Sequence, residues 1–136
     1  MQTFVLPRNI INDLMSHAQE APENEICGLI GQSATGFHSY RIENIASDTR
    51  FLYTMEPHAQ IDAMRTMREN DEELVAIYHS HPSSPAYPSV TDLEEATYPD
   101  VVYLIISLNT KGVLEMSGFQ LKDHEITTLE VIMQGL

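Results

Sequence analysis

Two histidines stand at the end of an apolar run in the middle of the chain. The segment 74–78 (Leu-Val-Ala-Ile-Tyr) has the composition of a buried strand and leads directly into His79, Ser80 and His81. Side chains alternate between the faces of a strand, so we expect His79 and His81 to point the same way. Pro82 then ends the strand, because proline has no amide hydrogen for a ladder bond. Two adjacent imidazoles offer nitrogen ligands for zinc, although a lone His-x-His is more often a pair of surface histidines.

A carboxylate follows eleven residues after the second histidine. Asp92 lies in the first turn of a short helix predicted from Ser89 to about Tyr98, and Pro85 and Pro88 restrict the loop before that helix. Asp92 would complete a site of two histidines and one carboxylate and leave a fourth coordination position open. That pattern is typical of a catalytic zinc rather than a structural one.

Ser89 fits two roles that are compatible with each other. The segment Ser89-Val90-Thr91-Asp92 matches a helix-capping box, which is the simpler interpretation of this serine. Its hydroxyl is also expected near the carboxylate, where it could donate a hydrogen bond to the oxygen that becomes negative when a carbonyl is attacked.

Glu25 is the candidate proton acceptor that zinc-assisted hydrolysis would still require. It lies at the edge of a predicted buried strand, Ile26–Gly31, but other glutamates close by in sequence make it a weak signal alone. Cys27, inside the apolar run, is expected to be a small core residue rather than a nucleophile. The other four histidines have no ligand spacing, and we expect structural or surface roles for them: His17, His38, His58 and His124.

The remaining hydrophobic patterns predict an α+β (mixed α/β) fold with a single central β-sheet flanked by helices, in one domain over residues 1–136. Helical spacing predicts one helix over 6–21 and a second that starts at Glu56-Pro57. Further strands are predicted over 37–45, 51–55, 101–108 and 113–121. The stretch Glu125–Met133 is compatible with either a strand or a helix.

Composition restricts the setting and the partners. The formal net charge is −13, which disfavours nucleic acid as a partner because its phosphate backbone is also negative. We expect no membrane span and no signal peptide, since the chain has no long apolar stretch. A single cysteine rules out an internal disulfide and fits a reducing, cytoplasmic location. The acidic surface fits a salt-rich cytoplasm and a face for a basic partner equally well.

The candidate site residues and their spacing together resemble a known family. His79-Ser80-His81-Pro82, six residues, Ser89, two residues and Asp92 match the pattern of JAMM/MPN-plus (JAB1/Mov34) zinc metallopeptidases at every fixed position. The segment 25–30 (Glu-Ile-Cys-Gly-Leu-Ile) looks like the Glu-x-Cys-Gly segment of that family. Arg50-Phe51 and Met55-Glu56-Pro57 look similar too, so the resemblance covers nearly the whole chain.

The resemblance implies a fold, a cofactor and residue roles. The fold would be the MPN/JAB domain, which is cytidine-deaminase-like. His79, His81 and Asp92 would bind Zn2+, Glu25 would act as general base and acid, and Ser89 would stabilise the oxyanion.

The resemblance also implies hydrolysis of amide or isopeptide bonds at the C-terminal tail of a ubiquitin-like or sulfur-carrier protein. The chain looks more like the small stand-alone bacterial members than the eukaryotic deubiquitinases, which carry inserted segments. Three alternatives stay open at this point: a non-catalytic MPN scaffold, a small-molecule metallohydrolase, and a metal-binding regulatory module without turnover.

Overall fold

The structure is a computed structural model that describes residues 2–135, and its centre is a curled seven-stranded sheet. The strands are β1 (Thr3–Pro7), β2 (Cys27–Ser33), β3 (Gly36–Ile42), β4 (Glu73–His81), β5 (Val102–Ser107), β6 (Glu115–Lys122) and β7 (Glu125–Gln134). Their order in the sheet is β1-β7-β6-β5-β4-β2-β3. The β1–β7 and β4–β5 pairs are parallel, and the other pairs are antiparallel.

Three helices cover the two faces of this sheet: α1 (Arg8–Glu20), α2 (Pro57–Glu69) and α3 (Val90–Glu95). One face packs on α1, whose buried residues Ile10, Leu14 and Ala18 recur every four positions. The other face packs on α2 and α3. None of the helices within residues 2–135 is long and apolar enough to cross a membrane. The α+β fold with helices flanking one sheet is therefore confirmed.

The first element differs from the sequence prediction. Residues 6 and 7, for which the sequence predicts the start of the first helix, belong to β1, which pairs in parallel with β7. Leu6 is fully buried and continues an alternating pattern with Phe4, whereas the helical spacing begins only at Ile10. Pro7 is extended, with a ψ of 150°, and serves as the N-cap residue of α1. The short run before the helix gave too little pattern to distinguish a strand from a first turn.

The predicted strand over 51–55 is also wrong. Only Met55 makes a bridge, to Asn44, and two of the neighbouring backbone groups bond to a side chain instead of a strand. The Asn44 amide donates to the Leu52 carbonyl, and its oxygen accepts from the Thr54 amide. The segment therefore has the composition of a strand, but an asparagine side chain makes part of its backbone hydrogen bonds and it forms no ladder.

Smaller differences concern where elements end. The ambiguous stretch 125–133 is strand β7, because Asp123 and His124 both have positive φ (53° and 60°) and close a tight hairpin with β6. Helix α3 ends at Glu95 because the backbone amides of the two residues after Ala96 donate to the Tyr103 hydroxyl instead of continuing the helix. The strand predicted over 37–45 ends at Ile42.

A close approach between β2 and β4 requires glycine at position 28. Gly28 lies opposite Tyr78 in the antiparallel pairing, and the Tyr78 ring is fully buried against it. A Cβ atom at Gly28 would overlap both this ring and the carbonyl oxygen of Tyr40 on β3. The glycine therefore permits three strands to pack tightly beside the residues that follow Tyr78.

We expect Gly28→Ala to lower the free energy of unfolding by about 1–3 kcal/mol, the usual cost of overpacking a well-packed core. The matched control is Gly112→Ala, where nothing lies within 4 Å and only the positive φ of 80° opposes a side chain. That strain is worth roughly 1–2 kcal/mol. Urea unfolding gives the free energy of unfolding of both variants and of wild type. Wild-type stability of Gly28→Ala would contradict the steric argument.

Candidate metal centre and active site

The end of β4 brings the two histidines to one face of the sheet. Ile77 packs in the core beneath α2, and His79 and His81 follow it on the same side by strand alternation. Cys27 of β2 lies opposite His79. Continuing this antiparallel register by two residues places Glu25 opposite His81. Pairing of two strands therefore brings three of the five candidate residues together.

Helix α3 supplies the fourth candidate residue, Asp92. Asp92 Oδ2 lies 3.1 Å from Nε2 of His79 and 3.1 Å from Nε2 of His81. The two Nε2 atoms are themselves 3.1 Å apart. Asp92 is held by a capping box, in which its amide donates to Ser89 Oγ (3.0 Å) and its carboxylate accepts from the Ser89 amide (2.9 Å). The capping box predicted from the sequence is confirmed.

This triangle of atoms fits a metal ion better than it fits hydrogen bonds alone. Ligands of a tetrahedral zinc at about 2.0–2.1 Å lie roughly 3.3 Å from one another, close to the three observed separations of 3.1 Å. If both Nε2 atoms carried hydrogens and donated them to Asp92, the two N–H groups would converge on one oxygen, Oδ2, that already accepts from the Ser89 amide. The side chains of His79, His81 and Asp92 are only 1%, 3% and 9% exposed. A cation among them resolves that conflict.

Further contacts orient the His81 ring so that it could bind a metal ion. His81 Nδ1 lies 2.8 Å from the carbonyl oxygen of Pro85, which can only accept, so Nδ1 carries the hydrogen. In the neutral ring Nε2 then has its lone pair free toward the site. The loop is fixed in turn, because the Ser107 hydroxyl donates to the Ser84 carbonyl at 2.6 Å.

Burial and hydrogen bonding set the charge states of His79 and Asp92. Burial lowers the pKa of His79, which favours the neutral imidazole that a metal needs. Burial by itself would raise the pKa of Asp92. The adjacent imidazoles of His79 and His81 and the hydrogen bond from the Ser89 amide outweigh it and hold that pKa well below its usual range. Asp92 therefore stays ionised.

Glu25 has the opposite electrostatic character. A carboxylate oxygen of Glu25 lies within 4.8 Å of ring nitrogens of both His79 and His81. Oε1 is buried and has no hydrogen-bond partner among residues 2–135. Burial raises the pKa of Glu25 to about 8, partly offset by the nearby His81. A carboxyl group with a pKa near neutrality can both accept and return a proton.

The backbone around Glu25 is fixed by residues that the sequence analysis did not single out. The Ile26 amide donates to Ser80 Oγ at 2.9 Å, and the Ser80 amide donates to the Ile26 carbonyl at 3.0 Å. The Glu25 amide donates to the carbonyl of Thr49 at 2.6 Å. Ser80, between the two histidines, is fully buried and so ties the histidine strand to the glutamate segment. A small hydroxyl residue between two histidines at the end of a buried strand was the available signal.

An aromatic ring also contacts the centre. Tyr53 stacks on His79 with ring centroids 4.4 Å apart and an angle of 26° between the planes. His79 Nδ1 is buried without a hydrogen-bond partner among the described residues, so stacking adds to the Nε2 contact with Asp92 in orienting this ring. No sequence pattern pointed to Tyr53, because a single aromatic residue in a predicted strand carries no other signal.

The remaining candidates lie where the sequence suggested. Cys27 is fully buried, its thiol contacts the Ile42 carbonyl at 3.4 Å, and burial raises its pKa to about 12. Three of the other histidines have partners elsewhere: His17 with Tyr78, His38 with Glu72 and His58 with Glu56. Ser89 is exposed at the rim of the site, and its hydroxyl hydrogen is free because the cap uses the oxygen as acceptor.

Comparison with known proteins identifies the family. The sequence family described as prokaryotic homologs of the JAB domain matches residues 7–118. A desampylase of Haloferax volcanii is 32% identical over 103 residues, which are 71% of this chain and 74% of that protein. A CysO-cysteine peptidase of Mycobacterium tuberculosis is 30% identical over 128 residues, which are 91% of this chain and 86% of that protein.

Solved structures of similar proteins have the same fold. A Desulfitobacterium hafniense protein solved in solution has a TM-score of 0.84 at 29% identity, covering 97% of this chain and 93% of that one. A structure described as a JAMM metalloprotease-like zinc site in the proteasome and signalosome has the same fold, with a TM-score of 0.56 at 17% identity and coverage of 97% and 99%. The chain belongs to the family of prokaryotic JAB-domain proteins and is a peptidase of the JAMM type.

Proposed function

We propose that this chain is a zinc peptidase that hydrolyses the amide or isopeptide bond at the C-terminal tail of a ubiquitin-like or sulfur-carrier protein. The observation that carries the proposal is the buried triangle of His79, His81 and Asp92, with Glu25 beside it. In this proposal the first three residues hold the metal. The zinc supplies Lewis acidity, which acidifies water and polarises a carbonyl group.

Glu25 would move the proton during hydrolysis. Its carboxylate takes a proton from the attacking water, and the resulting carboxylic acid hands that proton to the leaving nitrogen. The burial that raises its pKa to about 8 makes both transfers feasible near neutral pH. Its unpaired Oε1 atom is free to receive the proton.

Ser89 would stabilise the negative oxygen of the tetrahedral intermediate. Its amide is committed to Asp92 and its oxygen accepts the Asp92 amide, but its hydroxyl hydrogen remains available. Such a donor acts when charge develops on the carbonyl oxygen, so it contributes mainly to the transition state. The capping role fixes the position of the hydroxyl next to a proposed metal ligand.

Glu25 and both histidines are at most 5% exposed, which fits a substrate that presents little bulk beside the scissile bond. A Gly-Gly tail has no side chains to exclude. The relatives named desampylase and CysO-cysteine peptidase support this substrate class. A reducing, cytoplasmic location is part of the proposal and rests on the single cysteine.

We expect about one zinc ion per chain in protein purified without chelator, measured by elemental analysis. His81→Ala should lose most of it, because removal of one of three ligands weakens the site strongly. His58→Ala is the matched control, since that side chain is 93% exposed and lies on α2. Zinc content should also fall in acid, because imidazole must be neutral to bind. Equal zinc in His81→Ala and wild type would place the metal elsewhere.

The activity itself is tested with two substrates built on one ubiquitin-like protein that ends in Gly-Gly. One carries an extra C-terminal cysteine, and the other is joined through an isopeptide bond to a lysine side chain. Zinc-loaded wild type should release the group beyond the second glycine from at least one of them, detected by mass spectrometry. Glu25→Gln should keep its zinc and lose about 10²–10⁴-fold in turnover, the usual worth of general acid–base catalysis.

Two results would contradict this assignment. If zinc-loaded wild type cleaves neither substrate, the proposed substrate class is wrong. If Glu25→Gln keeps more than about a third of wild-type turnover, when loss of a general base should cost at least about 10²-fold, another group moves the proton.

Substitutions of Ser89 distinguish its capping role from its proposed catalytic role. Ser89→Ala removes both the cap and the hydroxyl and should cost about 1 kcal/mol of stability. Ser89→Gly keeps most of the capping strength, since glycine is a nearly equal N-cap. We expect both variants to lose roughly 10²–10³-fold in kcat, with a smaller change in KM. Thermal melting and cleavage kinetics on the same sample measure the two effects. Normal turnover of Ser89→Gly would show that Ser89 is only a cap.

A further inference from the structure

Asn44 lies between Glu25 and the segment that carries Tyr53, and all of its side-chain hydrogen-bonding capacity is used. Nδ2 donates to the Glu25 carbonyl at 2.9 Å and to the Leu52 carbonyl at 2.9 Å. Oδ1 accepts from the Ala46 and Thr54 amides, each at 3.0 Å. Both partners of the nitrogen are acceptors and both partners of the oxygen are donors, so the amide has only one favourable orientation.

Two of these bonds hold the backbone on either side of Tyr53. The Leu52 carbonyl and the Thr54 amide flank that residue, and Ile45 adds a backbone bond from its amide to the Thr54 carbonyl at 2.8 Å. The segment has no ladder of its own beyond the bridge at Met55. The position of the Tyr53 ring therefore depends on the Asn44 side chain.

The Tyr53 ring in turn orients a proposed metal ligand. His79 has no hydrogen bond to its buried Nδ1 atom among residues 2–135, in contrast to His81, whose Nδ1 is fixed by Pro85. Stacking at 4.4 Å takes the place of that bond. Groups that orient a metal ligand from behind typically alter metal affinity or activity 10–100-fold when they are removed.

We infer that Asn44 is a positioning residue that sets the proposed general base and the His79 ring in one fixed arrangement. Through the Glu25 carbonyl it fixes where the Glu25 side chain begins, and through the Tyr53 segment it fixes the ring of His79. Asn44 itself touches neither the metal triangle nor the space in front of it. The inference rests on the proposed function for its effect on turnover, but its effect on metal affinity needs no substrate.

The test uses Asn44→Asp, which keeps the two accepted hydrogen bonds and loses the two donated ones. The zinc dissociation constant, measured by competition with a chromogenic chelator, should rise about tenfold. At saturating zinc, kcat should fall about 10–100-fold while KM changes less than about threefold, because a misplaced base affects the chemical step. The matched control is Tyr40→Phe, which removes a 2.7 Å hydrogen bond to the buried Glu72 but touches no part of the site. It should lose thermal stability and keep wild-type zinc affinity and kcat.

A second pair of variants isolates the aromatic contact. Tyr53→Leu should weaken zinc binding about tenfold, whereas Tyr53→Phe, which keeps the ring, should bind within about twofold of wild type. This comparison remains decisive if Asn44→Asp does not fold. Wild-type zinc affinity in Tyr53→Leu overturns the inference, as does wild-type zinc affinity and kcat in folded Asn44→Asp. If wild type cleaves no offered substrate, the proposed function fails, while the zinc measurements still decide the role of Asn44.

Discussion

The pairing of β2 with β4 is the constraint on which the site depends. Its register places Cys27 opposite His79, and the reciprocal bonds between Ser80 and Ile26 extend that register to Glu25. A shift of one residue would turn the histidines to the α1 face of the sheet and separate them from the carboxylates. The close packing permitted by Gly28 stabilises the same register immediately before the site.

Two carboxylates with different environments meet at this point. Asp92 lies against two imidazoles and accepts a hydrogen bond from a helix-terminal amide, and its pKa is lowered. Glu25 is buried without a partner for Oε1, and its pKa is raised to about 8. When neighbouring acids are driven in opposite directions, one is suited to permanent charge and the other to proton transfer. This division matches the roles proposed for them as ligand and base.

The surroundings of the centre show how rigidity is distributed. The second histidine and the helix carboxylate are fixed by backbone groups, through the Pro85 carbonyl and the Ser89 amide. The first histidine is fixed by a stacked ring, on a segment that a single asparagine side chain supports. Contacts that hold the site thus come from three separate stretches of chain, around residues 44, 53 and 85–89.

The sequence alone determined the features that depend on local periodicity. Two histidines two residues apart at the end of a strand must share a face, and a serine three residues before an aspartate starts a helix with a capping box. The resemblance to a known family connected these to Glu25 and implied their roles. The α+β class followed from the alternation of strand and helix patterns.

Tertiary structure decided what lies between segments distant in the chain. Whether the first residues form a strand depended on β7, about 125 residues away, because a five-residue run carries too little periodicity. The segment around Tyr53 has strand composition, but the Leu52 carbonyl and the Thr54 amide bond to the Asn44 side chain, and no local pattern reveals that. The raised pKa of Glu25 and the stacking of Tyr53 on His79 arise only from burial and contact, which a sequence specifies through its fold and not through its spacing.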